Sequence, residues 1–159
     1  TNLYGQNDNF HPQNSHVIPG MMRRFHDAKK AGLKKISVWG TGKPKREFLH
    51  VDDMATACVH VMNLSHDQFS SIISSPMCSH VNVGSGSDIT IAELASIIAR
   101  VVGFEGDIEF DGSKADGTPR KLMDVGRLRS LGWEYSIELE KGIYETYVWF
   151  LENQEKLRT

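Results

Sequence analysis

Residues 36–53 read ISVWGTGKPKREFLHVDD, and the fold class turns on how this stretch is divided. Ile36-Ser37-Val38-Trp39 alternates and ends on a β-favouring aromatic, the pattern of a strand. Gly40-Thr41-Gly42-Lys43-Pro44 holds three residues that break regular structure and reads as a turn. Arg46-Glu47-Phe48-Leu49-His50-Val51 then resumes as a second strand. Asp52 or Asp53 can cap a helix whose apolar face is Met54, Cys58, Val61 and Met62. Strand, turn, strand and helix in such quick succession point to a mixed α/β class.

On the N-terminal side, residues 1–16 read TNLYGQNDNFHPQNSH. They are rich in Asn, Gly, Pro and His with no sustained period, which predicts a long loop. Val17, Met21, Phe25 and Ala28 follow at helical spacing. Pro19 suits a first helical turn, so this helix is expected to begin near Ile18. His16 then lies on the loop just ahead of the helix, and Arg24 lies in its second turn.

On the C-terminal side, the polar stretch His66 to Ser79 reads as a linker to a strand at residues 80–83, His80-Val81-Asn82-Val83. Thr90 with Glu93 forms a capping-box pattern that opens a helix through Leu94, Ile97, Ile98 and Val101, ending at Gly103. A short strand at residues 107–110, a turn-rich loop from Asp111 to Arg120, and a short helix from Val125 to Leu131 come next. The last helix carries Leu139, Ile143, Tyr147, Phe150 and Leu151. Only about four short strands emerge, few for a sheet covered by helices on both faces.

Composition narrows the function. The 159 residues are 40% hydrophobic and 24% charged, ordinary values for a soluble globule. Eighteen basic residues against twenty acidic ones give a net charge of -2. That balance offers no overall attraction to nucleic acid or to an anionic membrane. Two cysteines, Cys58 and Cys78, with no CxxC spacing, speak against a disulfide framework or a cysteine zinc site and fit a reducing compartment. No signal-peptide pattern occurs, and no apolar run nears the roughly 20 residues of a membrane span. The first residue is Thr1 rather than Met, as expected of a chain processed, trimmed or cut from something longer.

Several side chains could carry chemistry. A loop histidine such as His16 can exchange protons near neutral pH, although the same pattern fits an exposed loop residue. Its spacing from His11 matches no zinc motif. Arg23-Arg24 and Lys43-Pro44-Lys45-Arg46 are two basic clusters that could hold a diphosphate if they converge, or form a solvated surface if they do not. Trp39, beside a glycine turn, could stack on a sugar or base, or sit in the core. Asp116 could accept hydrogen bonds from a guanine edge or a ribose hydroxyl, or shape a turn. Gly84-Ser85-Gly86 lacks the further glycine and the GK[ST] of nucleotide loops and reads as a connection.

Taken together, TNLYG, DNFHP, NSHVIP, VWGTGKPKREFLHVDDMA, HVNVGSG, DGTPRKLMDV and LGW resemble the C-terminal portion of the GDP-L-fucose synthases. These epimerase-reductases are a branch of the extended short-chain dehydrogenases. The likeness runs from Thr1 to the WFLENQ segment. DNFHP, NSHVIP and DGTPRK are the branch-specific pieces; WGTG with REFLHVDD would fit many nucleotide-sugar enzymes. The family's glycine-rich dinucleotide fingerprint is missing, and none of Tyr4, Tyr135, Tyr144 or Tyr147 stands four before a lysine. Neither cysteine occupies the family's catalytic position, which lies upstream of this segment.

The resemblance implies that residues 1–159 are mainly the substrate-binding domain, a small mixed α/β sheet with helices, without the N-terminal dinucleotide-binding half. Residues 51–86 would pack on that half, so the chain alone should expose an apolar patch around the helix of the Met54–Val83 stretch or dimerise through it. It also implies NADPH as cofactor, a GDP-sugar substrate, and a cytoplasmic homodimer with no nucleic-acid or membrane partner. Thr1, Asn2 and Leu3 would line the nicotinamide end. His16 would be the acid/base histidine that also touches the cofactor, and Arg24, Trp39, Arg46 and Asp116 would bind the GDP-sugar. Two other readings stay open on the sequence: another nucleotide-sugar epimerase or dehydratase, and a non-catalytic nucleotide-sugar binding or dimerisation module.

Overall fold

The computed structural model describes residues 1–73 and 79–157. Its strands are β1 (Asn2–Tyr4), β2 (Lys35–Trp39), β3 (Lys45–Arg46), β4 (Phe48–His50), β5 (Ile89–Thr90), β6 (Asp107–Asp111) and β7 (Arg120–Lys121). Its helices are α1 (Val17–Lys30), α2 (Val51–Met62), α3 (His66–Ile73), α4 (Ile91–Val102), α5 (Gly126–Ser130) and α6 (Leu139–Glu152). The class is mixed α/β, as expected. Among the described residues no helix is long and apolar enough to cross a membrane.

The strands form three small sheets rather than one. β1 runs parallel to β4, with Asn2 opposite Phe48 and Tyr4 opposite His50. β2 runs parallel to β6, from Lys35 opposite Asp107 to Trp39 opposite Asp111. In the third, β3 lies between antiparallel β5 and parallel β7. The main core is built where α1, α4 and α6 meet β2, around Met22, Phe25, Leu94, Ile98, Ile143 and Phe150. A smaller core joins Leu49, Ala57, Leu128 and Trp133. Successive strand side chains point to opposite faces, so Phe48 enters the first core and Leu49 the second.

Helix α4 forms as its sequence indicates. Thr90 Oγ1 accepts from the Glu93 amide while Glu93 reaches back to the Thr90 amide, and Gly103 ends the helix in the left-handed conformation.

Other expectations are corrected. Asn2–Tyr4 is a strand inside the expected loop, because its partner lies far along the chain at β4. The expected strand at residues 46–51 divides at Glu47, where the chain leaves one sheet for another, and Val51 already begins α2. Neither Asp52 nor Asp53 caps α2. His50 does, its Nδ1 accepting from the Asp52 amide, while Asp53 faces inward to take the Ser136 amide and hydroxyl and the Ile137 amide. Of the expected apolar face, Met54 and Val61 are partly buried, but Cys58 and Met62 are exposed. Val59, Met62, Phe69 and Ile73 together present apolar side chains to solvent on α2 and α3.

The expected linker contains α3. Ser65 and Gln68 cap it reciprocally, amide to side chain in both directions, a capping box in which Gln stands for Glu. Residues 74–78 of that linker, Cys78 included, lie outside the described residues. No strand forms at residues 80–83, since a strand exists only through a neighbour and none pairs there among the described residues. Arg120, expected at the end of a loop, pairs with β3 together with Lys121 as β7.

Candidate functional site

His16 occupies the position just before α1, in an extended conformation (φ -70°, ψ 171°). Its ring is exposed and makes no capping bond to the helix. The loop that delivers it is shaped by its own polar groups: His11 Nδ1 accepts from the amides of Gln13 and Asn14, and Asn9 Nδ2 donates to the Asn14 carbonyl. Phe10 pins this loop to α6. It is 1% exposed, 5.0 Å from Phe150 and 6.0 Å from Trp149 between ring centroids.

About two turns into α1, Arg24 reaches across to β2 and donates to the Ser37 carbonyl. Partial burial lowers the pKa of its guanidinium, because a charge loses hydration there. Arg23 takes no part in this; it donates to the Phe10 carbonyl at 3.1 Å and faces Asp27 at 3.7 Å. The expected Arg23-Arg24 cluster therefore divides, one arginine holding the loop and the other facing β2.

Trp39 ends β2 with 69% of its surface exposed, which settles its alternatives against a core role. The Lys114 ammonium lies 6.0 Å from its ring centroid, at the outer limit of a cation–π contact. His16, Arg24 and Trp39 line one open cleft of about 740 Å³, with Gln13, Met21 and Ile91. Three of the proposed residues, far apart in sequence, are thus brought together.

Asp116 and Arg46 stand nearby in a different role. Asp116 grips the turn that follows Trp39: Oδ1 accepts from the Thr41 amide at 2.8 Å and Oδ2 from the Thr41 hydroxyl at 2.6 Å. Those two bonds lower its carboxyl pKa. Arg46 donates to the Lys45 carbonyl and lines a separate, small recess with Tyr4, Ser85 and Ile89. Its guanidinium lies against Gly117, where a Cβ would come within 2.9 Å of Nη2.

Thr1 and Asn2 line a third cavity of about 400 Å³ with Glu47, Lys121, Leu122 and Met123. Leu3 is not among its lining; it pairs with Leu49 in the β1–β4 ladder. Sequence reasoning missed Glu47, which is 1% exposed. The available signal was an acid directly ahead of the apolar pair Phe48-Leu49. It also missed Thr41, whose polar contacts with Asp116 depend on two loops meeting.

The NAD dependent epimerase/dehydratase family model matches residues 1–84. A GDP-L-fucose synthase of Escherichia coli (strain K12) is 59% identical over 158 residues, 99% of this chain and 49% of that protein. GDP-L-fucose synthase 1 of Arabidopsis thaliana is 55% identical over 153 residues, 96% of this chain and 44% of its own length. Among solved structures, a GDP-L-fucose synthetase from Naegleria fowleri bound to NADP has a TM-score of 0.85 at 32% identity, covering 100% of this chain and 47% of that one. The chain spans about half the length of the curated relatives it matches.

Proposed function

The chain belongs to the NAD dependent epimerase/dehydratase family, and from that premise we propose that it is the substrate-binding portion of a GDP-L-fucose synthase. The parent enzyme would epimerise GDP-4-keto-6-deoxy-D-mannose at two carbons and reduce the ketone with NADPH. The observation that carries this reading is the convergence of His16, Arg24 and Trp39 on one cleft. A proton-transfer group, a phosphate-binding fork and an aromatic face are what a keto-sugar nucleotide requires.

The 4-keto group acidifies the protons on both flanking carbons. Removing one gives an enolate, and returning a proton to the opposite face inverts that centre. Acid and base must therefore stand on different faces of the sugar. His16 is exposed at the mouth of the cleft on a loop that Phe10 anchors, so its ring can reach a substrate without a costly loop rearrangement. It serves as the acid of the pair, and the partner base comes from outside this chain. Arg24 meets the diphosphate, and Trp39 offers its open face to the sugar or base. Arg46, on β3, and Asp116, on the loop between β6 and β7, contribute from outside the cleft, Asp116 chiefly by holding the Thr41 turn beside Trp39.

The donor set of the third cavity fits a nicotinamide. Asn2 and Thr1 offer polar groups, and Leu122 and Met123 offer apolar surface for the ring. When bound there, NADPH supplies the electrons and hydrogen that reduce the ketone. This chain by itself carries neither the base nor the rest of the cofactor site and is inactive in this reading. The exposed apolar side chains of α2 and α3 are the face on which the dinucleotide-binding half would sit.

The test uses the parent enzyme. His16→Gln is expected to lower kcat by about 10²–10⁴ while changing GDP-sugar affinity little. Arg24→Ala is expected to weaken GDP-sugar binding and leave kcat at saturation nearer the original. Steady-state kinetics paired with binding titration read both, and the opposite assignment of effects would sink the proposed roles.

A further inference from the structure

Glu47 stands where the chain passes from β3 to β4, between two sheets, and it is 1% exposed. A carboxylate taken out of water needs compensating bonds. Here its partners among the described residues are two backbone amides from distant loops: Oε1 accepts from Gly86 at 2.7 Å and Oε2 from Met123 at 3.2 Å. Its own carbonyl accepts from the Thr1 hydroxyl at 3.0 Å and from Asn2 Nδ2 at 2.8 Å. Gly84 completes the seat, since a Cβ there would come within 2.4 Å of Oε1. One residue therefore joins three segments: residues 1–2, the 84–86 loop and the stretch after β7. Thr1, Asn2 and Met123 are walls of the same 400 Å³ cavity, to which Glu47 itself contributes.

We propose that Glu47 is a positioning residue for the cofactor end of the site, setting the walls of this cavity at their working separation without itself taking part in the chemistry. The inference rests on reading that cavity as the nicotinamide end. Two charge-assisted bonds to separate loops give a stiffer spacing than apolar contact would, because each bond fixes both distance and direction. The neutral isostere shows why both acceptor oxygens are needed. A glutamine keeps one acceptor oxygen but turns its other end into an NH₂ donor, which would face an N–H donor at Gly86 or at Met123.

The experiment compares Glu47→Gln and Gly84→Ala in the parent enzyme. The second variant crowds the carboxylate while leaving its charge in place, and it serves if the first does not fold. Amide hydrogen exchange at Gly86 and Met123, binding of NADPH, binding of GDP and the melting temperature are all read. Faster exchange at one or both amides is expected, with NADPH binding weakened about tenfold and GDP binding within about twofold of wild type. Turnover is expected to fall by about ten- to a hundredfold. Unchanged NADPH binding despite faster exchange would overturn the proposal, as would equal losses of GDP and NADPH binding accompanied by a lower melting temperature. A wild-type enzyme that binds GDP but not NADPH would instead overturn the cofactor reading, and this inference with it.

Discussion

Helices α2 and α4 are each twelve residues long, but they bury their apolar side chains to different extents. In α4 the apolar residues Leu94, Ala95, Ile98, Ala99 and Val102 are all buried. In α2 the buried residues are Asp53 and Ala57, while Val59 and Met62 stand in solvent. Helix α4 is held by a full apolar face, whereas α2 adds the hydrogen bonds of Asp53 to a smaller apolar contact through Met54, Ala57 and Val61. Periodicity says that a helix has an apolar face; it does not say what covers that face.

The sharpest way to break the comparison is to delete side chains on which each helix depends. Ile98 is fully buried, and Ile98→Ala is expected to lower the unfolding free energy by about 2–5 kcal/mol in urea denaturation. Asp53→Ala strands the Ser136 and Ile137 amides and should cost about 2–3 kcal/mol by the same measurement. An α2 held mainly by its exposed apolar face would show almost no loss there. The smallest effect belongs to Met62→Lys, 84% exposed, which should leave the stability of this chain within about 0.5 kcal/mol. In the parent enzyme the same change should be clearly destabilising, and an equal response in both, seen by thermal melting, would mean that the face is uncovered there too.

What could be read in advance divides along the same line. Helix α4 was legible because its cap, its periodicity and its stop are all local. Helix α3 was legible in principle from Ser65 and Gln68, but the polar residues around them read as linker. Strand β1 was not legible: three residues carry no pattern, and the partner strand lies more than forty residues away. The break at Glu47 was hidden for a related reason, since the amides that claim its carboxylate come from two remote loops. In the candidate site, placing His16 ahead of α1 and Arg24 within it needed only local rules. That Trp39 joins them needed β2 to lie beside α1, a tertiary fact. Asp116 was legible as a turn carboxylate, but its attachment to Thr41 was not.

The anchoring of Phe10 bears on how the chain acquires its site. The ring that steadies the His16 loop rests on Trp149 and Phe150, near the opposite terminus. The loop is therefore among the most non-local features of the molecule, and its ordering waits for contacts that close almost the entire length of the chain. During synthesis helix α1 can form before α6, but the residue just ahead of it has no fixed place until α6 has emerged from the ribosome. The fixed placement of His16 then reports on a distant event, the docking of α6 against Phe10.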